Sequence, residues 1–277
     1  MDYRVVDVFT DKALLGNPVA VILNANDLTT ETMQQFARWT NLSETTFVLK
    51  PQNGGDYRLR IFTPGGELPF AGHPSLGTAA ALLDANILKK AEGEQVFVQE
   101  CARGNIPIKK SAHGELPFEI DLDKPTVLDS TQAEELKHSM NEFSLKPGAV
   151  VVDAGPHWVV VECEGSLEKF LDTKPNDAAI LAFTAKYGFT GICPFLKVEN
   201  GVEIRSFAPG EGVSEDPVCG SGNAAVAKYI NNSESYKSRQ GRAIQRDGHI
   251  VCGVKDSTVS VGGKCKITVR GYVNLDK

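Results

Sequence analysis

The chain has 277 residues, long enough for one large domain or for two of roughly 130, and its 42% hydrophobic and 23% charged content is that of a globular protein with a full core rather than a disordered one. Its formal charge of −6, with no dense Lys/Arg run, excludes the footprint of a nucleic-acid or anionic-membrane binder and leaves a small molecule as the expected partner.

In chain order, "MDYRVVDVFT" alternates like a strand, turns at Gly16–Pro18 and returns as "VAVIL", a β-hairpin with an extended loop. It lacks the basic and then apolar regions of a signal peptide. "DLTTETMQQFARWT" places Met33, Phe36, Ala37 and Thr40 at helical spacing, with Asp27 and two threonines available as caps. "TTFVLK" and "DYRLRIFT" read as strands. A Pro/Gly loop then leads to a small-residue helix beginning near Pro74 in "HPSLGTAAALL", and Pro suits a first helical turn. Strands follow at "VFVQE" and "FEIDL".

The same order then recurs. "AVVVDAGPHWVVV" is strand, turn and strand; "KPNDAAILAFTAKYG" is a helix; "PFLKV" and "VEIRSF" are strands before a second Pro/Gly loop. A gapless shift of 145 places Arg205, Phe207, Pro209, Gly210, Gly222, Ala224 and Ala225 on Arg60, Phe62, Pro64, Gly65, Gly77, Ala79 and Ala80. The expectation is an α+β protein of two pseudo-symmetric domains, residues 1–124 and 125–277, each a mixed sheet curled around its small-residue helix. A cleft between them is the expected site, with the unpaired amides of the two helix starts suited to carboxylate oxygens.

In a duplicated chain, polar residues present in one copy only are candidates for chemistry. Glu44 in "NLSETTFV" has an apolar approximate counterpart, His73 aligns with Val218, and Asp216 aligns with Ala71. Asp216 before Pro217 also fits a turn starter or a helix cap. "GSGNAA" fits GxGxxA formally, but a turn rather than a strand precedes it, so a dinucleotide cradle is not expected. Cys219 stands at a helix start, where a thiol can have a depressed pKa and act as a base. Its aligned residue is Pro74, so a two-cysteine racemase lacks its second thiol, and a small residue in a tight loop is the plainer reading. The six cysteines show no CxxC pair and no zinc spacing, and no run nears the roughly 18 apolar residues of a membrane span; reduced, buried thiols, no metal and a cytoplasmic location are the expectation.

Together "GNPVAV", "NLSETTFV", "FTPGGELPFAGHPSLGT" and "EDPVCGSGNAA" resemble the PhzF-like family, named for a phenazine-biosynthesis isomerase, over almost the full chain. The resemblance implies the diaminopimelate-epimerase-like fold, no metal or organic cofactor, and a homodimer. It implies Glu44 as catalytic acid/base, with His73, Asp216 and Ser221 holding or polarising a small carboxylate substrate. The amides around Gly72, His73, Gly220 and Ser221 would hold the carboxylate, with Cys219 beside them. A partly apolar cleft would raise the Glu44 pKa. The phenazine enzymes carry Thr in the second loop where this chain has Cys219, as other family members of unassigned substrate do, so the substrate stays open. Two alternatives remain: a Cys219-dependent amino-acid epimerase, and a non-catalytic binding or interaction protein on the same fold.

Overall fold

Residues 1–89, 92–232 and 234–275 are described in a computed structural model. They form two units, Met1–Phe118 with Gly262–Lys277, and Glu119–Val261.

The first unit opens with the alternating segment as β1 (Asp2–Val8), paired antiparallel to β2 (Asn17–Ile22). The crossover helix α1 (Thr30–Thr40) follows, capped by the Thr29 side chain, which accepts from the Thr32 N–H, and closed by Asn41 in the left-handed conformation. Its Met33, Phe36 and Ala37 are buried against Ile22, Phe47 and Phe62. β3 (Glu44–Leu49) then runs parallel to β2, and β4 (Tyr57–Phe62) antiparallel to β3, with the two-residue β5 (Glu67–Leu68) on β4. Helix α2 (Gly72–Asp84) has ten of its thirteen residues buried, so it is a core element and not a surface one. It lies against β1, β2, β3, β7 (Gly104–Lys110) and β17 (Cys265–Tyr272), within a sheet ordered β17-β1-β2-β3-β4-β6-β7, where β6 is Gln95–Cys101. Small residues permit this: a Cβ at Gly77 would come within 2.3 Å of a Val19 methyl.

The second unit repeats the path. After β8 (Leu116–Asp121), β9 (Thr126–Val127) and α3 (Ser130–Ser139), β10 (Val150–Asp153) and β11 (His157–Cys163) form an antiparallel pair. α4 (Leu167–Asp172) and α5 (Asp177–Tyr187) cross to β12 (Gly191–Val198), parallel to β11, and β13 (Gly201–Ile204) returns antiparallel. Helix α6 (Gly220–Ile230) is buried at eight of eleven positions and packs on β10, β11, β12 and β15. β14 (Tyr236–Gln240), β15 (Gly248–Lys255) and β16 (Thr258–Gly263) complete a sheet ordered β8-β16-β15-β14-β13-β12-β11-β10-β9. Both sheets mix parallel and antiparallel pairs, as an α+β repeat requires.

One boundary differs from the sequence expectation. A single division after residue 124 was expected; the contacts divide the chain at 118/119 and again at 261/262 because β17 hydrogen-bonds along β1 and belongs to the first sheet. The helix start expected at Cys219 is observed, with Cys219 as the N-cap and α6 beginning at Gly220; set on α2 by the shift of 145, α6 starts three residues later. There the Asp216 carboxylate accepts the Val218 N–H, and the Cys219 N–H goes to the Gln240 amide oxygen, which holds these residues in a turn.

The repeated arginines clamp the repeated loops. Arg60 makes a two-pronged bond to Glu67 across the Pro64–Gly65 loop, and its guanidinium lies over Phe62. Arg205 does the same with Glu215 across the Pro209–Gly210 loop, also lies over Phe207, and donates to the carbonyls of Phe170 and Thr173. The second clamp is buried and the first is half-exposed, with side-chain exposures of 2% and 5% against 18% and 36%.

Candidate active site

The sequence-predicted residues fall into two groups, one in each unit. In the first unit, Asn41 ends α1 and the chain enters β3 at Glu44. His73 is the second residue of α2, and its Nδ1 lies 3.2 Å from Glu44 Oε2. The pair is enclosed, with His73 only 6% and Glu44 17% exposed. Glu44 Oε2 and His73 Nε2 are both buried without an aligned hydrogen-bond partner, an uncommon condition for buried polar atoms. The N-cap of α2 is Ala71, which has no side chain to cap with, so the first-turn amides of Gly72 and His73 are left open. Gly72 is a glycine because Phe118 covers it: a Cβ there would come within 2.4 Å of the ring.

Burial alone pushes the Glu44 carboxyl up. The positive form of His73 beside it, with polar contacts from His73 and Ser43, outweighs that, and the carboxyl is held below its ordinary value of 4.5. A raised value was expected from the apolar surroundings; the direction is reversed because the imidazole is in contact. Glu44 is a carboxylate at neutral pH.

In the second unit, Asp216 forms a side-chain-closed turn, its carboxylate accepting from the Val218 N–H at 2.9 Å and its own N–H donating to the Ser206 carbonyl. Gly220 is the first helical residue of α6, and Cys219 is its N-cap, the sulfur accepting the Gly222 N–H at 3.2 Å. Cys219 is buried, and burial, followed by the charges of Asp216 and Cys193, pushes its thiol far above the ordinary value. The depressed thiol pKa expected of a helix start is therefore absent, and Cys219 acts here as a cap. Ser221 Oγ accepts the indole N–H of Trp158 at 3.0 Å and lies 3.5 Å from Cys219 Sγ.

Trp158 and Gly191 were missed by sequence reading. The strand register identifies them: Thr45 of β3 faces Phe62, and Ile192 of β12 faces Phe207, so Gly191 is the counterpart of Glu44. Val19 pairs with Glu44, and Trp158 pairs with Gly191, so Trp158 takes the place of Val19. Setting "GNPVAV" beside "GPHWVVV" would have exposed the exchange. Among the described residues no group of three or more His, Cys, Asp or Glu side chains is arranged to hold a metal ion, and no helix is long and apolar enough to cross a membrane.

Residues 6–272 match the family model described as phenazine biosynthesis-like protein, PhzC-PhzF. The chain is 34% identical to Antisense-enhancing sequence 1 of Schizosaccharomyces pombe, over 97% of each chain. It is 37% identical to trans-2,3-dihydro-3-hydroxyanthranilate isomerase of Pseudomonas aeruginosa, over 82% of this chain and 79% of that one. Among solved structures, the Bacillus anthracis phenazine biosynthesis protein of the PhzF family superposes with a TM-score of 0.84 at 26% identity, over 99% of both chains. The chain belongs to the phenazine biosynthesis-like PhzC-PhzF family of isomerases.

Proposed function

We propose that the protein moves a proton between carbons of a small carboxylate, with Glu44 as the group that takes the proton and returns it. The observation that carries this reading is the buried Glu44–His73 pair, each partner presenting a polar atom with no aligned hydrogen bond. An ionised carboxylate in an enclosed site can accept a proton from one carbon, and the resulting acid can deliver it to another carbon of the same molecule. Such a transfer balances within the substrate and consumes no oxidant, reductant or group donor. His73 stabilises the carboxylate before transfer. Asp216 and Ser221 hold the substrate, and the first-turn amides of α2 and α6, at Gly72, His73, Gly220 and Ser221, bind its carboxylate oxygens. The elevated thiol of Cys219 speaks against a cysteine base. By family likeness the functional form is a cytoplasmic homodimer; light scattering of the purified protein measures its mass.

The test is incubation in D2O with a panel of small cyclic and amino carboxylates, headed by trans-2,3-dihydro-3-hydroxyanthranilate, the compound named for the Pseudomonas relative. NMR is expected to detect deuterium entering carbon positions, and Glu44→Gln to slow entry at least about 100-fold. Exchange in Glu44→Gln as fast as in the parent would remove Glu44 from the chemistry. Binding without exchange anywhere in the panel would favour a binding protein on this fold.

A further inference from the structure

We propose that Trp158 is a positioning residue for substrate binding, orienting the Ser221 hydroxyl so that its proton is offered to an anionic ligand. This rests on the reading that Ser221 holds the substrate.

The indole N–H can only donate, and a serine hydroxyl has one proton to give and two lone pairs to accept with. By donating to Ser221 Oγ at 3.0 Å, Trp158 occupies one of those lone pairs. The hydroxyl proton is thereby turned away from the ring. Cys219 Sγ lies 3.5 Å from Ser221 Oγ, a contact in which either atom can donate, but its thiol is protonated and its sulfur already accepts the Gly222 N–H, so it is a poor competitor for the serine proton. Ser221 is in the first turn of α6, where the amides also point outward as donors. The hydroxyl and the open amides together present donors, suited to carboxylate oxygens.

Trp158 is fixed in this pose by the strand beside it. It is 3% exposed, and a Cβ at Gly191 would come within 2.5 Å of its ring and 2.2 Å of the Phe207 carbonyl oxygen. Gly191 is thus the empty seat on which the ring lies. In the first unit the corresponding place belongs to Glu44, which meets His73 in the first turn of α2. Strand start and helix start are coupled by an acid–imidazole contact in one unit and by an indole–hydroxyl bond in the other. One coupling handles a proton; the other only donates hydrogen bonds.

The test is a double-mutant cycle on the carboxylate that exchanges fastest in the D2O panel. Trp158→Phe keeps a ring over Gly191 and removes the N–H. Ser221 binds ground state and transition state alike, so this variant is expected to raise KM about 3- to 10-fold with kcat within about two-fold. In a Ser221→Ala background Trp158→Phe is expected to add nothing further. Equal, multiplying losses in the two backgrounds, or a loss confined to kcat, would overturn the assignment. Wild-type protein supplies a measurement that no variant's folding can confuse. Its two tryptophans are Trp39, 78% exposed, and Trp158, so two indole N–H resonances are separable in a 15N-labelled sample. Saturation with the substrate is expected to shift the Trp158 resonance and leave that of Trp39 in place; an unmoved Trp158 resonance would also overturn it. A Glu44→Gln enzyme with full activity would instead defeat the isomerase mechanism while the cycle still reported whether Trp158 and Ser221 act together.

Discussion

Where the first unit starts its inner parallel strand with an acid, Glu44, the second starts it with Gly191 and lays an indole across the gap. Around this exchange the two units keep the same chain path, the same buried small-residue helix and the same arginine clamp. The clamp itself differs in depth: Arg60 and Glu67 are partly wet, whereas Arg205 and Glu215 are sealed in and tied to α4 as well. Chemistry and burial have therefore parted company. The unit carrying the titratable pair has the looser loop, and the unit with the tight loop presents hydrogen-bond donors from a fixed frame.

The largest effect expected from breaking this contrast is on stability. Arg205→Ala leaves Glu215 and the Phe170 and Thr173 carbonyls buried without their donor, and is expected to cost about 3–5 kcal/mol in urea unfolding. Gly191→Ala forces a methyl against the Phe207 carbonyl and the Trp158 ring, for about 1–3 kcal/mol; Gly66→Ala, with open space around it, serves as the control and is expected to be near neutral. His73→Gln sharpens the first unit. The charge of His73 then no longer opposes burial, and the Glu44 carboxyl is expected to rise. The acid limb of kcat/KM is expected to move to higher pH in the variant than in the parent. The same lowered value gives the parent a contribution to stability that is present above pH 4.5 and lost as the pH falls through the folded value. Smallest is Arg60→Ala, expected to cost no more than about 1 kcal/mol because its ion pair is partly solvated. Equal losses at Arg60 and Arg205 would erase the distinction between the two loops.

Much of this was written locally. Alternation marked β1, the spacing of Met33, Phe36 and Ala37 marked α1, and the shared Arg, Phe, Pro and Gly marked the duplication, because each depends on residues near in sequence. Glu44 and His73 were visible as asymmetries, and the structure brings them into contact. The direction of the Glu44 shift was not legible, since it depends on a 3.2 Å approach between residues 29 positions apart. The three-residue delay of α6 relative to α2 was hidden too, because Gln240, which holds the Cys219 amide, lies 21 residues downstream. Trp158 escaped notice for a related reason. A gapless shift follows sequence, whereas the strand ladder follows space, and the offset between copies changes from 145 at Phe62 and Phe207 to 147 at Thr45 and Ile192.

The return of β17 to β1 gives the molecule an order of assembly. The first unit's sheet is closed at one edge by residues 265–272, and the Met1 amine donates to the Val273 carbonyl at 2.8 Å. A ribosome making the chain from its amino end synthesises every strand of the second unit before that edge strand. The edge of the first unit's sheet beside β1 therefore cannot be paired until residues 265–272 have been made, after every strand of the second unit.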